Sequence, residues 1–72
     1  MIEYSEHAKD RMRERGFTKE DVVYCLNNYH TSYNDSKGKT VYRTTMEPGR
    51  KMRVVAIYEN NLYFIITVAD ED

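Results

Sequence analysis

His7, Arg11 and Arg15 recur every four residues, so on a helix their polar heads line one stripe. Together they form a candidate site for phosphate chemistry. Cleaving RNA without a metal takes a base for the 2′-hydroxyl proton, a cation for the charge that develops on phosphorus, and an acid for the leaving 5′-oxygen. Histidine titrates near neutrality and could act as either acid or base, which makes His7 the candidate proton-transfer group. Arg11 and Arg53 are candidate phosphate grips through their planar forks, with Arg15 in support and Tyr58 as a stacking or second proton-transfer candidate. The ordinary reading of the same stripe is structural: arginine stems cover the core while their heads pair with nearby acids.

The second cluster is a basic hairpin. Residues 37–53 carry Lys37, Lys39, Arg43, Arg50, Lys51 and Arg53 against Glu47 alone, although the whole chain has a formal charge of −1. Positive charge interleaved with aromatic rings is how single-stranded RNA is held without reading its sequence. Lys39, Arg43, Arg50, Lys51 and Tyr63, with Arg15, are therefore candidate RNA contacts. Charges on an edge hairpin also serve to prevent edge-to-edge aggregation, and the tyrosines can simply complete a small core. The acidic run Asp70-Glu71-Asp72 reads either as a solvated end or as a strap folded back over the basic hairpin.

Other chemistry has little support. The lone Cys25 can form no intramolecular disulfide, and one thiol with two scattered histidines makes no zinc site, so neither a metal nor a cofactor is expected. Cys25 itself reads as a buried residue, since nothing near it in sequence would lower its pKa. The opening residues lack the basic start and apolar run of a signal peptide, and no stretch approaches the ~20 apolar residues of a membrane span. A cytoplasmic protein is expected. Helix-turn-helix DNA binding ranks last, because the second helix would enter the groove with Lys19-Glu20-Asp21, a net acidic end.

The elements that must position these residues follow from caps and periodicity. Ser5 as N-cap and Gly16 as C-cap bound a first helix over 6–15, with Ala8 and Met12 beside the His/Arg stripe. Thr18 with Asp21 forms a capping-box signal, and Phe17 can staple onto Val22. The second helix runs to about Asn28 with Val22, Val23, Leu26 and Tyr29 as its apolar face. Strands are expected over 30–33, 40–46, 52–58 and 62–69, with turns at Asn34–Gly38, Pro48-Gly49 and Asn60-Asn61. A two-residue turn at Asn60-Asn61 fixes a register that gathers Val55, Ile57, Phe64, Ile66 and Val68 on the face expected beneath the helices. The other face, with Met52, Val54, Ala56, Tyr58, Tyr63, Ile65 and Thr67, is expected to be open and to dock a partner, either a second copy or another protein. The fold class is α+β, one small domain over 1–72 with two N-terminal helices on one face of a roughly four-stranded antiparallel meander.

The run His7-Ala8-x-x-Arg11-Met12-x-Glu14-Arg15-Gly16-Phe17-Thr18-x-Glu20-Asp21-Val22 is followed by strands containing Arg53-Val54-Val55 and Ile66-Thr67. This pattern resembles the domain-of-unknown-function family 4258 over nearly the whole chain. More distantly, the helix–turn–helix–sheet order and the Arg15-Gly16-Phe17-Thr18 junction look like toxins of the BrnT group, within the RelE-like ribonuclease superfamily. The likeness implies a compact sheet packed on two helices and, for the distant relatives, metal-independent RNA cleavage neutralised by an antitoxin-like partner. The chain departs from the BrnT group where that group has arginine near its last core strand: here Thr67-Val68-Ala69 runs into Asp70-Glu71-Asp72. The function expected is RNA binding or toxin-type endoribonuclease activity. The alternative is a non-catalytic interaction or dimerisation module.

Overall fold

The computed structural model describes residues 1–71. Its elements are β1 (Ile2–Tyr4), α1 (Glu6–Arg15), α2 (Lys19–Asn28), β2 (Thr31–Asn34), β3 (Thr40–Met46), β4 (Arg50–Glu59) and β5 (Leu62–Asp70). Both helices begin where side chains satisfy their free N–H groups. Ser5 Oγ accepts from Ala8 N at 3.0 Å, while Thr18 and Asp21 cap each other reciprocally. Gly16 adopts φ 73° after α1, the left-handed turn that glycine accepts without steric cost, and Phe17 N then donates to Met12 O at 2.9 Å.

The sheet has five strands in the order β1-β5-β4-β3-β2 and is mixed. The expected four-stranded meander is present as β2–β5, all antiparallel, but β1 adds a fifth strand in parallel with β5, pairing Ile2 with Tyr63 and Tyr4 with Ile65. Three residues are too few to show an alternation, and this strand owes its place to long-range pairing. The Asn60-Asn61 turn forms as expected, with φ of 53° and 63°, and sets Tyr58 directly opposite Tyr63.

The two faces of the sheet are exchanged relative to expectation. Met52, Val54, Ala56, Ile65 and Val68 are fully buried and form one core with Ala8, Met12, Phe17, Val22, Cys25 and Leu26. Val55, Ile57 and Phe64 lie on the open face instead. The reason is electrostatic. Val55 and Ile57 share their face with Lys51, Arg53 and, across the ladder, Arg43, and covering that face with helices would strand those charges away from water. The run Met52-x-Val54-x-Ala56 carries no charge and is the face that can be buried.

Val68 reaches the covered face through a β-bulge. Val55 pairs with Thr67 but Ala56 pairs with Ile65, so Ile66 has no partner on β4 and the alternation slips by one residue. Beyond the slip, Val68 lies on the covered face and Thr67 on the open face, as expected, and Ala69 shares the face of Thr67. Departures on α2 are smaller: Cys25 is buried as expected, whereas Val23 and Tyr29 are exposed. Thr44, a buried polar side chain, donates to the Asn28 carbonyl at 3.1 Å and so satisfies the end of α2. Among the described residues no helix is long and apolar enough to cross a membrane.

Candidate functional site

β1 flanks β5 only as far as Ile65; past that point α1 packs along the strand. The switch is made at Ser5, whose backbone N–H donates to Ile65 O at 3.0 Å and whose hydroxyl donates to Ile66 O at 2.9 Å. One residue therefore caps α1 and ties its first turn to the bulge. With Ala8 and Met12 pointing into the core, the adjoining stripe of α1 faces the edge of β5. The result is a cleft of about 770 Å³ lined by His7, Arg11 and Arg15 of α1, Arg50, Lys51 and Arg53 of β4, and Thr67, Ala69, Asp70 and Glu71 of the last strand and its extension.

Six of the residues named from the sequence thus meet in one place: His7, Arg11, Arg15, Arg50, Lys51 and Arg53. Five permanent cations face two carboxylates across the cleft, a net positive lining suited to an anion. Four others stand elsewhere. Tyr58 and Tyr63 stack with ring centroids 4.5 Å apart at the β4–β5 turn, and Tyr58 Oη donates to Asn61 Oδ1 at 3.1 Å. Tyr63 belongs to the margin of the core, edge-on to Tyr42 at 6.0 Å. Lys39 sits in the β2–β3 turn, where its backbone N–H and that of Lys37 donate to Asp35 and hold that carboxyl below its ordinary pKa. Arg43 adjoins the cleft without lining it, across the ladder from Arg53.

The cations are not equivalent. Arg50 is fixed as a structural group: Nε donates to Asp70 Oδ1 at 2.8 Å, Nη2 donates to the Arg15 carbonyl at 2.6 Å, and the guanidinium lies over the Phe17 ring at 3.8 Å. Its bond to Asp70 raises the Arg50 pKa and lowers that of Asp70. Arg15 stands 3.9 Å from the same carboxylate, and Arg11 meets Glu14 at 3.8 Å. Lys51 is exposed and in no ion pair among the described residues. Arg53 Nη1 donates to Glu71 Oε2 at 3.3 Å, while Arg43 Nε approaches Oε1 of the same carboxylate at 2.6 Å. That second contact is an ion pair rather than a hydrogen bond, because the Arg43 N–H is not aimed at the oxygen and the buried nitrogen has no hydrogen-bond partner among the described residues.

Asp70 and Glu71 were legible only as one of two readings of the acidic run, and it is the strap reading that matches their positions against Arg50, Arg43 and Arg53. Asp72 lies outside the described residues. Thr67, expected on the open face, and Ala69 were not named as site residues; both reach the cleft from the open face beyond the bulge. Cys25 is buried, its thiol pushed up to about 12 by desolvation, and takes no part in the cleft. Among the described residues no group of three or more His, Cys, Asp or Glu is placed to hold a metal ion.

No curated protein and no solved structure matches the chain. Residues 4–70 match the family model described as Domain of unknown function (DUF4258), a span that includes the whole motif from His7 to Val22 and every residue of the cleft but Glu71. The chain belongs to the DUF4258 family.

Proposed function

We propose that this domain binds single-stranded RNA by its phosphate backbone in the cleft between α1 and β5. The observation that carries the reading is the convergence of Arg11, Arg15, Lys51 and Arg53 on one groove beside His7. Arginine and lysine heads that reach solvent exchange counterions for phosphates readily, and the groove has the open form that suits a polymer. Arg50 is excluded from this role, since its donors already serve Asp70 and the end of α1.

The same groove supports slow, metal-independent cleavage of the toxin type that the RelE/BrnT resemblance implies. His7 would take the 2′-hydroxyl proton, with Arg11 and Arg53 beside the charged phosphorus. Tyr58 stands at the far turn and supplies no acid there, so protonation of the leaving oxygen falls to water or to His7 after its first transfer. The alternative, a non-catalytic interaction module, is favoured by a different observation: Tyr33 and Phe64 are exposed on the open face beside Val55 and Ile57.

Binding is tested by titrating labelled oligouridine at several salt concentrations. Arg53→Gln and Lys51→Gln should each weaken binding and flatten the slope of log K against log salt by about 0.7. Cleavage is tested on the same RNA in chelator, where His7→Ala should lower the rate by roughly 10²–10⁴-fold and Tyr58→Phe should leave it unchanged. Wild-type protein that fails to bind at low salt would sink the RNA reading. Binding with no cleavage would retain it and remove the enzymatic part.

A further inference from the structure

Arg43 and Arg53 are direct cross-strand partners on the open face of the sheet, between β3 and β4. Like charges at opposed positions repel and weaken a ladder, and neither residue has a carboxylate beside it within its own strand. What holds them together is one side chain from the far end of the chain. The Glu71 backbone N–H donates to the Lys51 carbonyl at 2.9 Å, extending the β4–β5 ladder by one residue, and its carboxylate then spans both guanidinium groups. Glu71 is only 16% exposed, against 38% and 43% for the arginine side chains, so the carboxylate sits in the angle between two cations that still reach solvent.

The arrangement is that of an anion in a two-arginine fork. A carboxylate presents two oxygens in a plane; a phosphodiester presents two non-bridging oxygens in a similar spread, which is why arginine pairs receive either group. The fit to the carboxylate is incomplete: among the described residues the buried Arg43 Nε has no hydrogen-bond partner although a carboxylate oxygen lies beside it. A ligand with oxygens in three dimensions can meet that donor while also keeping Arg53.

We propose that Arg43 and Arg53 form a phosphate subsite adjoining the cleft, occupied in the resting protein by the Glu71 carboxylate, which a backbone phosphate of bound RNA displaces. This rests on the RNA reading for its ligand but not for its geometry. It extends the phosphate track from Arg11, Lys51 and Arg53 across the open face to Arg43, and it makes RNA affinity depend on a competition within the chain.

The experiment compares wild type, Glu71→Gln and the double variant Glu71→Gln/Arg43→Gln. Oligouridine should bind Glu71→Gln about tenfold more tightly, with a salt slope steeper by roughly 0.7 or more, and the double variant should lose that gain. In the wild type, the Arg43 and Arg53 Nε–H resonances should move on titration with the RNA, a measurement that decides the matter even where Glu71→Gln folds poorly. Wild-type binding with no gain in Glu71→Gln and no movement of those resonances would overturn the subsite and leave the RNA reading standing. Absence of RNA binding by every variant would remove RNA as the ligand. In that event inorganic phosphate tests the fork alone: a larger rise in melting temperature for Glu71→Gln than for wild type or the double variant upholds it, and equal rises overturn it.

Discussion

The guanidinium carbon of Arg50 lies 3.8 Å from the centroid of the Phe17 ring, so the first residue of β4 is stacked on the residue that joins the two helices. The same group donates to Asp70 and to the last carbonyl of α1, and a lysine cannot reproduce three such contacts from one head. Arg50→Lys is expected to lower stability by about 1–2 kcal/mol, read as a fall in denaturation midpoint without a change in slope. RNA affinity should change less than in Arg53→Gln. An Arg50→Lys protein as stable as wild type would show that the stack and the carbonyl bond contribute nothing measurable.

Asp70 gives the domain an acid-sensitive contact. Its hydrogen bond from Arg50 holds the carboxyl below the ordinary carboxylate value, so the native state takes up this proton less readily than the unfolded chain does. The associated stability is complete at neutral pH and is lost as pH falls through about 4 toward the lower folded value. Asp70→Asn should therefore be less stable than wild type at neutral pH, with the two curves drawing together in acid. Parallel curves from pH 7 to pH 2 would contradict the linkage.

Ser5 and Thr18 allow a matched comparison, because each caps one helix of ten residues. Either substitution by alanine should cost about 1 kcal/mol. Only Ser5→Ala also breaks the tie to the Ile66 carbonyl that sets α1 against the bulge, so it alone should weaken RNA binding in proportion beyond its loss of stability. Equal binding by the two variants would mean that the cleft keeps its shape without the tie.

Cys25 is fully buried and its thiol is pushed up to about 12. The native protein should resist an alkylating reagent at pH 8 and react at the rate of a free thiol once denaturant is added, as followed by intact mass. Fast labelling under native conditions would reveal local opening of α2 from β3 and β4.

The caps, both helices and the Asn60-Asn61 hairpin could be read directly from residue types, since each depends on neighbours in sequence. The covered face could not be read from alternation, because residues 52–58 are apolar at almost every position. The decisive clue was charge: Lys51, Arg53 and Arg43 share a face with Val55 and Ile57, which made that face the one left open. The bulge at Ile66 had no local signature, and because of it Thr67 and Val68 keep their expected faces while the rest of the ladder is reversed. His7, Arg11 and Arg15 were found by helical spacing and Arg50, Lys51 and Arg53 by charge density, yet that the two groups face one another depends on β1 delivering α1 to the edge of β5. Tyr58 was drawn in by its residue type alone, and distance along the sheet separates it from the cleft.

The parallel pairing of Ile2–Tyr4 with Tyr63–Ile65 has a consequence during synthesis. One wall of the groove is translated well before the other. A growing chain on the ribosome carries His7, Arg11 and Arg15 long before Thr67, Ala69 and Glu71 exist to face them, and such distant contacts form late in folding. The groove is therefore completed only once β5 has been made and has paired with both β1 and β4.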